Sequence, residues 1–348
     1  MKNYLFSLAT DKNKNVIAGV LKFLLFLLSV AYGGIVRILI YVNQKRAVTL
    51  NCKVISVGNI TLGGTGKTSL VEFIARFLKQ KGKKIAVLSR GYKRVMMSQD
   101  GDCRQMGDEP YMLQRNLKDV PVIVDADRVR GAAKAIKDFG ADTVILDDGF
   151  QQWKIRKDLE IVSIDATCPF GNRNMLPRGI LREPLSSLRR ADIFVLTKSN
   201  LKRDVGGIKS VLNKLNPKAL IFESVHEPVG FYEANDLGKG LALDSFRGKR
   251  VILFSGIGDP DSFENLVRSL EIKVVSHFRF GDHHYYSQED LNNITKAAQE
   301  NGAEAVITTE KDAVRLGAGK SQVLVFKIEV KIKDEERFFN RLLKLYSV

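Results

Sequence analysis

The chain is poor in cysteine, histidine and acid. Three cysteines occur in 348 residues, Cys52, Cys103 and Cys168, and no two form a Cys-x-x-Cys pair. That spacing argues against a zinc site or a dithiol redox motif, and so sparse a count suits a reducing cytoplasm. Of four histidines only His283 and His284 stand together, and no second Cys or His cluster offers further zinc ligands. Asp and Glu number 39 against 55 Lys and Arg, a formal charge of +16. That surplus predicts attraction to nucleotide phosphates, anionic lipid or nucleic acid, without choosing among them. No zinc finger, helix-turn-helix spacing or RNA-recognition aromatic motif occurs, so nucleic acid is not an expected partner. There is no internal repeat and no low-complexity tract. No signal-peptide cleavage pattern follows the apolar N-terminal stretch, so the body of the protein is expected to stay in the cytoplasm.

A clean membrane span is missing too. Residues 16–42 form the most apolar segment, but Lys22 and Arg37 interrupt it. A span wants about 20 residues nearly free of charge. At about 100° per residue the two cations lie about 60° apart around a helix. Asn15, Ser29, Gly33 and Gln44 fall on the same side, and Leu24, Leu25, Leu28, Ile35 and Leu39 on the broad apolar face. A narrow polar stripe of this kind predicts an interfacial, membrane-associated helix. The alternative is a helix buried against the body of the protein.

The length of 348 residues is enough for two domains with their own cores. From Lys53 onward, KVISVG, KIAVLS, VPVIVDAD, ADTVILDD, LEIVSIDA and ADIFVLTK alternate with helical patterns. Continuous apolar strands separated by helices predict a parallel sheet covered on both faces, with ligands at the carboxyl ends of the strands. Residues 222–248 are less regular and read as a linker with a strand or two. RVILFSGIGDP, IKVVSHFRF, AEAVITTEKD and QVLVFKI then repeat the strand-turn-helix rhythm. The expected organisation is an apolar helix over 1–46, a P-loop NTPase-type α/β domain over 47–222, a linker over 223–248 and a smaller α/β domain over 249–348.

The strongest motif is VGNITLGGTGKT, Val57 to Thr68. Lys67 and Thr68 follow Gly66 between a strand and a helix, as a phosphate-binding loop requires. Backbone amides from Thr61, Leu62, Gly63, Gly64, Thr65 and Gly66 would close on phosphate oxygens, Lys67 would reach the β and γ phosphates, and the Thr68 hydroxyl would hold Mg²⁺. Thr61 stands where the general pattern has glycine, so Gly63 and Gly64 are expected to supply the flexibility. In VILDDGFQ, Asp147 and Asp148 end an apolar strand, where a carboxylate binds Mg²⁺; acids there also form ordinary turns. SRGY, GDEP, DADR and the loop PFGNRNMLPRGILREP are weaker signals, each compatible alone with a turn or a solvated charge cluster. FGDHHYY places a histidine pair beside Asp282 and two tyrosines, which suggests a positioned imidazole.

Together these segments, with SGIGDP and TTEKDAVRL, resemble the tetraacyldisaccharide 4'-kinases of lipid A biosynthesis over nearly the whole chain. The resemblance implies transfer of the γ-phosphoryl of ATP, with Mg²⁺, to the 4'-hydroxyl of an acylated disaccharide 1-phosphate. It implies work at the cytoplasmic face of an inner membrane, by two α/β domains that close around the nucleotide. By the same resemblance Asp108 receives the hydroxyl proton and His283, of the doublet, supports it. Asp147, Asp148 and Glu183 surround Mg²⁺ and ATP, Arg128 and Arg182 lie near the phosphates, and Arg90 and Tyr92 match more loosely. A rival of another class, a membrane-associated regulatory P-loop ATPase, would need neither FGDHHYY nor the ILREP loop. The absence of Asn-Lys-x-Asp at LTKSN argues against GTP.

Overall fold

The computed structural model describes residues 16–91, 106–202, 204–234, 236–316 and 323–347; Asn15, Tyr92 and Cys103 lie outside them. In chain order the elements are α1 (Val16–Lys45), β1 (Lys53–Gly58), α2 (Lys67–Gln80), β2 (Ile85–Ser89), α3 (Asp108–Asn116), β3 (Val122–Val124), α4 (Arg128–Phe139), β4 (Thr143–Asp147) and β5 (Leu159–Asp165). There follow β6 (Ile193–Thr197), α5 (Gly206–Leu215), β7 (Leu220–Glu233), β8 (Asp236–Leu241), β9 (Arg250–Ser255), α6 (Pro260–Arg268) and β10 (Lys273–Arg279). The last are α7 (Gln288–Glu300), β11 (Ala305–Thr309), α8 (Glu310–Ala313), β12 (Val323–Ile332) and α9 (Glu335–Leu343).

The chain divides into two compact units, one of residues 1–90, 119–225 and 331–348, the other of 91–118 and 226–330. In the first, the strand order is β7-β6-β5-β1-β4-β2-β3, and every pairing is parallel. Strands β2, β4 and β6 are buried at every residue, as expected when helices cover both faces of a parallel sheet. Helix α2 turns Leu70, Val71, Ile74, Ala75, Phe77 and Leu78 inward, and the Asp127 side chain caps α4 by accepting from Val129 and Arg130 amides. In the second unit the order is β10-β9-β11-β12-β7, with β8 antiparallel on the end of β7. Its core is built on Phe231, Val251, Leu253, Phe263, Ile307 and Phe326 on one side and Ile252, Phe254, Tyr286, Ile294 and Val325 on the other.

Two segments fall across the boundaries expected from sequence order. Residues 106–118 join the second unit rather than the P-loop domain. Charge holds them there: Arg115 donates to the Tyr232 hydroxyl at 2.9 Å, and Lys311 pairs with Glu109 at 3.1 Å. Residues 331–348 return to the first unit. In α9, Phe339 stacks on Phe77 at 3.6 Å between centroids, Phe338 meets Phe222 edge-on, and the Tyr346 hydroxyl shares a hydrogen bond with Thr143 at 2.8 Å.

Helix α1 is one unbroken helix of 30 residues, long and apolar enough to cross a membrane by length and composition. Ser29, Gly33 and Val36 are buried, and Tyr32 and Ile40 pack on a core cluster with Phe170, Met175 and Leu181. The Tyr32 hydroxyl donates to the Arg182 carbonyl at 3.1 Å. Leu24, Leu28, Ile35 and Leu39 stay exposed, while Leu25 and Lys22 are half-buried. Part of the small-residue stripe therefore meets protein, and most of the broad apolar face is exposed.

Candidate functional site

Strand β1 is buried from Val54 to Gly58, and the loop leaves the sheet at its carboxyl edge. Residues 60–62 do not stand alone. The Leu62 amide donates to the Ile180 carbonyl at 2.7 Å and the Arg182 amide to the Ile60 carbonyl at 2.8 Å, which makes Thr61 and Leu181 an antiparallel bridge. This explains the departure at Thr61: that position is extended backbone, where a β-branched residue is favoured. Left-handed backbone falls instead at Gly63, φ 113°, and at Gly66, φ 74°, the N-cap of α2. Gly64, expected to share that work, is not at positive φ. Thr65 is buried; its hydroxyl pairs with Ser163 at 2.7 Å, and its carbonyl accepts from Thr197 at 3.2 Å.

Strand β4 pairs beside β1, with Asp147 opposite Val57, so the acids emerge next to the loop. Lys67 Nζ lies 3.5 Å from Asp148 Oδ1. Arg182 grips the same carboxylate with two bonds, NH1 to Oδ2 at 2.9 Å and NH2 to Oδ1 at 2.8 Å. Burial would raise the Asp148 carboxyl, but Lys67 and Arg182 outweigh it and hold it low. Arg182 NH2 also donates to the Asn59 side chain, and Asn59, fully buried, braces the loop by donating to the Thr61 carbonyl at 2.9 Å. Arg128, the first residue of α4, is buried and donates to the Asp125 carbonyl. Burial pushes its guanidinium down to about 10, against the pull of Asp147, so it remains charged at neutral pH. Thr61, Leu62, Gly63, Gly66, Lys67, Thr68, Arg128, Asp147, Asp148 and Arg182 thus belong to one edge of one sheet.

Glu183 sits behind this edge, bonded within the protein. Its side chain is fully buried, and its carboxylate accepts from Gln151 Nε2 at 3.1 Å, Trp153 Nε1 at 3.1 Å and Arg190 NH2 at 2.9 Å. These bonds tie the ILREP loop to the segment after β4 and to Arg190, and they engage Glu183 with protein donors much as Lys67 and Arg182 engage Asp148. The remaining donors, the Thr68 hydroxyl and the Asp147 and Asp148 carboxylates, are hard oxygens. They suit Mg²⁺, which completes its shell with water and substrate phosphate rather than an all-protein cage. Among the described residues no group of three or more His, Cys, Asp or Glu is arranged to hold a metal.

A second constellation lies in the other unit. Asp108 opens α3 and is buried. His283 Nδ1 lies 2.7 Å from its Oδ2, with His283 itself in left-handed backbone at φ 65°. Its neighbour turns elsewhere: His284 Nε2 meets Asp290 at 2.9 Å, and its ring stacks on Phe280. Arg315 Nε reaches the same Asp108 oxygen at 2.7 Å. Burial would raise the Asp108 carboxyl, but the His283 hydrogen bond and the Arg315 charge prevail, so it lies far below the usual carboxylate range. Asn59, Gln151 and Arg315 carried no signal in the sequence beyond lying inside quoted motifs.

The family model described as tetraacyldisaccharide-1-P 4'-kinase matches residues 21–347. A protein of Elusimicrobium minutum named tetraacyldisaccharide 4'-kinase is 37% identical over 350 residues, covering 94% of this chain and 92% of its own. One of that name from Syntrophobacter fumaroxidans is 40% identical over 311 residues, covering 86% and 81%. The crystal structure of LpxK from Aquifex aeolicus, described as an "apo" form in complex with ATP, superposes with a TM-score of 0.75 at 30% identity, over 94% of this chain and all of that one. By the extent of these matches, the chain belongs to the tetraacyldisaccharide 4'-kinase family.

Proposed function

We propose that the chain transfers the γ-phosphoryl group of ATP to the 4'-hydroxyl of a tetraacylated disaccharide 1-phosphate, a step in making lipid A. The observation that carries this over a regulatory ATPase is the Asp108–His283 pair. A nucleotide switch has no acceptor hydroxyl to deprotonate, whereas a sugar hydroxyl gains from a carboxylate within hydrogen-bond reach. In this reading the loop amides and Lys67 hold the triphosphate, and Arg182 and Arg128 neutralise charge around it. Thr68, Asp147 and Asp148 would hold Mg²⁺, which supplies further charge neutralisation on the phosphate oxygens. The acceptor oxygen bonds to Pγ as the bond from Pγ to the bridging oxygen breaks and ADP leaves. The hydroxyl proton passes to Asp108, with His283 in support. The transition state is loose, so positioning and charge matter more than basicity, and a weakly basic, firmly ionised carboxylate suffices. The test is transfer of label from γ-labelled ATP to a defined disaccharide 1-phosphate. Release of labelled phosphate without labelled lipid would instead identify an ATPase.

The exposed face of α1 is the proposed membrane contact, at the cytoplasmic side of the inner membrane. An amphiphilic, anionic acceptor calls for an apolar surface near basic groups. Because Tyr32, Val36 and Ile40 pack on the core, deleting the helix would uncover that core as well as detach the protein. Leu24→Glu with Leu28→Glu and Ile35→Glu alters only the exposed side. That variant is expected to move from the membrane pellet to the soluble fraction, keep its ATP affinity and lose activity on long-chain acceptors. Continued sedimentation with membranes would refute this assignment of the face.

A further inference from the structure

We propose that Arg315, backed by Asp312, is the positioning residue that fixes Asp108, pinning one carboxylate oxygen and leaving the other for the acceptor hydroxyl. This rests on the reading of Asp108 given above. Both side chains are fully buried. The guanidinium is held through Nε and NH1, with NH2 in close ion-pair contact. Nε and NH2 reach Asp108 Oδ2 at 2.7 and 2.5 Å, and NH1 donates to the Gly256 carbonyl at 2.9 Å and to Asp312 Oδ1 at 3.0 Å. Asp312 is itself locked: Oδ1 accepts from the Gly256 amide at 2.9 Å and the Tyr286 hydroxyl at 2.8 Å, and Oδ2 from the Thr309 hydroxyl at 2.6 Å. A rigid path therefore runs from the end of β9 through Asp312 and Arg315 to Asp108.

Two features mark this as placement rather than mere cohesion. A buried ion pair stabilises a fold no better than a well-packed apolar pair of the same volume, and an apolar pair would have no hold on a carboxylate. Moreover, the contacts from His283 and Arg315 all fall on Oδ2, and none is made to Oδ1 among the described residues. Arg315 Nε and NH2 converge on that one oxygen, which anchors the carboxylate at Oδ2 and leaves Oδ1 as the oxygen turned to the acceptor.

The charged groups facing Asp108 are His283, Arg315 and Lys311; Lys311 is already engaged by Glu109 and Asp282. With Arg315 gone, burial persists and one cation is lost, so the carboxyl rises and is protonated at higher pH. The experiment measures kcat against pH with saturating ATP and a disaccharide 1-phosphate acceptor. Arg315→Met is expected to lower kcat about tenfold or more at neutral pH, as misplacement of a reacting group does, with KM for ATP unchanged. Its acidic limb should move to higher pH, so the deficit shrinks as pH rises. Arg315→Lys keeps the buried charge and is the safer variant for folding. It should lose a comparable factor in kcat, since the two-nitrogen hold on Oδ2 and the NH1 tie to Asp312 and Gly256 are gone, while its limb stays put. Wild-type kcat in Arg315→Lys, or an unmoved limb in a folded Arg315→Met, overturns the proposal. Asp108→Asn run alongside separates the two readings: full activity there means that the role of Asp108 itself is wrong. An inactive Asp108→Asn beside wild-type behaviour of the Arg315 variants rejects only the present inference.

Discussion

Lys67→Ala is expected to lower kcat by about two to three orders of magnitude, the loss seen when one preorganised donor to a developing oxyanion is removed. The lysine begins α2, directly after the left-handed Gly66. Its ammonium lies 3.5 Å from Asp148 in a site shared with Arg182. Alanine therefore deletes the group proposed to reach the β and γ phosphates and also removes one of the cations that keep Asp148 ionised. ATP affinity should weaken as well, since the ground-state triphosphate carries the same charge. Thr68→Ala should mimic the kcat loss, and raising Mg²⁺ should recover part of it if the hydroxyl is a metal ligand. Single-turnover label transfer together with nucleotide titration measures both effects. Retention of most of wild-type kcat by both variants would remove the P-loop assignment.

Much of the first unit was legible because its strands are continuous apolar runs ending in polar residues. KVISVG and TVILD are buried at nearly every position, and in a parallel sheet that pattern places the next residues at the ligand edge. The loop and the two aspartates could thus be located by spacing alone. Three things could not. The bridge of Thr61 to Leu181 joins residues 120 positions apart, and nothing in either motif announces its partner. Glu183 reads as an available acid, yet Gln151, Trp153 and Arg190 use its oxygens. The third is the assembly around Asp108, whose partners lie 175 and 207 residues away. The motifs themselves were visible in GDEP, FGDHHYY and TTEKDAVRL, but contact between them is a product of the fold. The same holds for α1. Periodicity separates its two faces, but only packing reveals that Ser29 and Gly33 meet protein.

Asp108→Asn is the most discriminating single change in the second unit, and it should reduce kcat by about a hundredfold or more, the usual worth of a positioned general base. The amide keeps the shape of the carboxylate but accepts a proton poorly. KM for ATP should change little, because the triphosphate is assigned to Lys67, Arg182 and the loop. The substitution also leaves Arg315, fully buried, facing a neutral partner. Some loss of stability should therefore accompany the loss of rate, and its pH dependence can be worked out. The Asp108 carboxyl is held below its unfolded value, so its contribution to stability is fully present above the ordinary carboxylate range. It disappears as pH falls through the depressed folded value. In Asp108→Asn that contribution is absent at every pH, so the stability gap from wild type should be widest near neutrality and close in strong acid. His283→Ala removes the bond to Oδ2 but leaves Arg315 in place, so its loss should be smaller than that of Asp108→Asn. If the pair acts as a unit, the double variant should be scarcely slower than Asp108→Asn alone. Losses in kcat that multiply would show two independent contributions, and an equal loss of ATP affinity would make Asp108 a nucleotide or metal ligand instead.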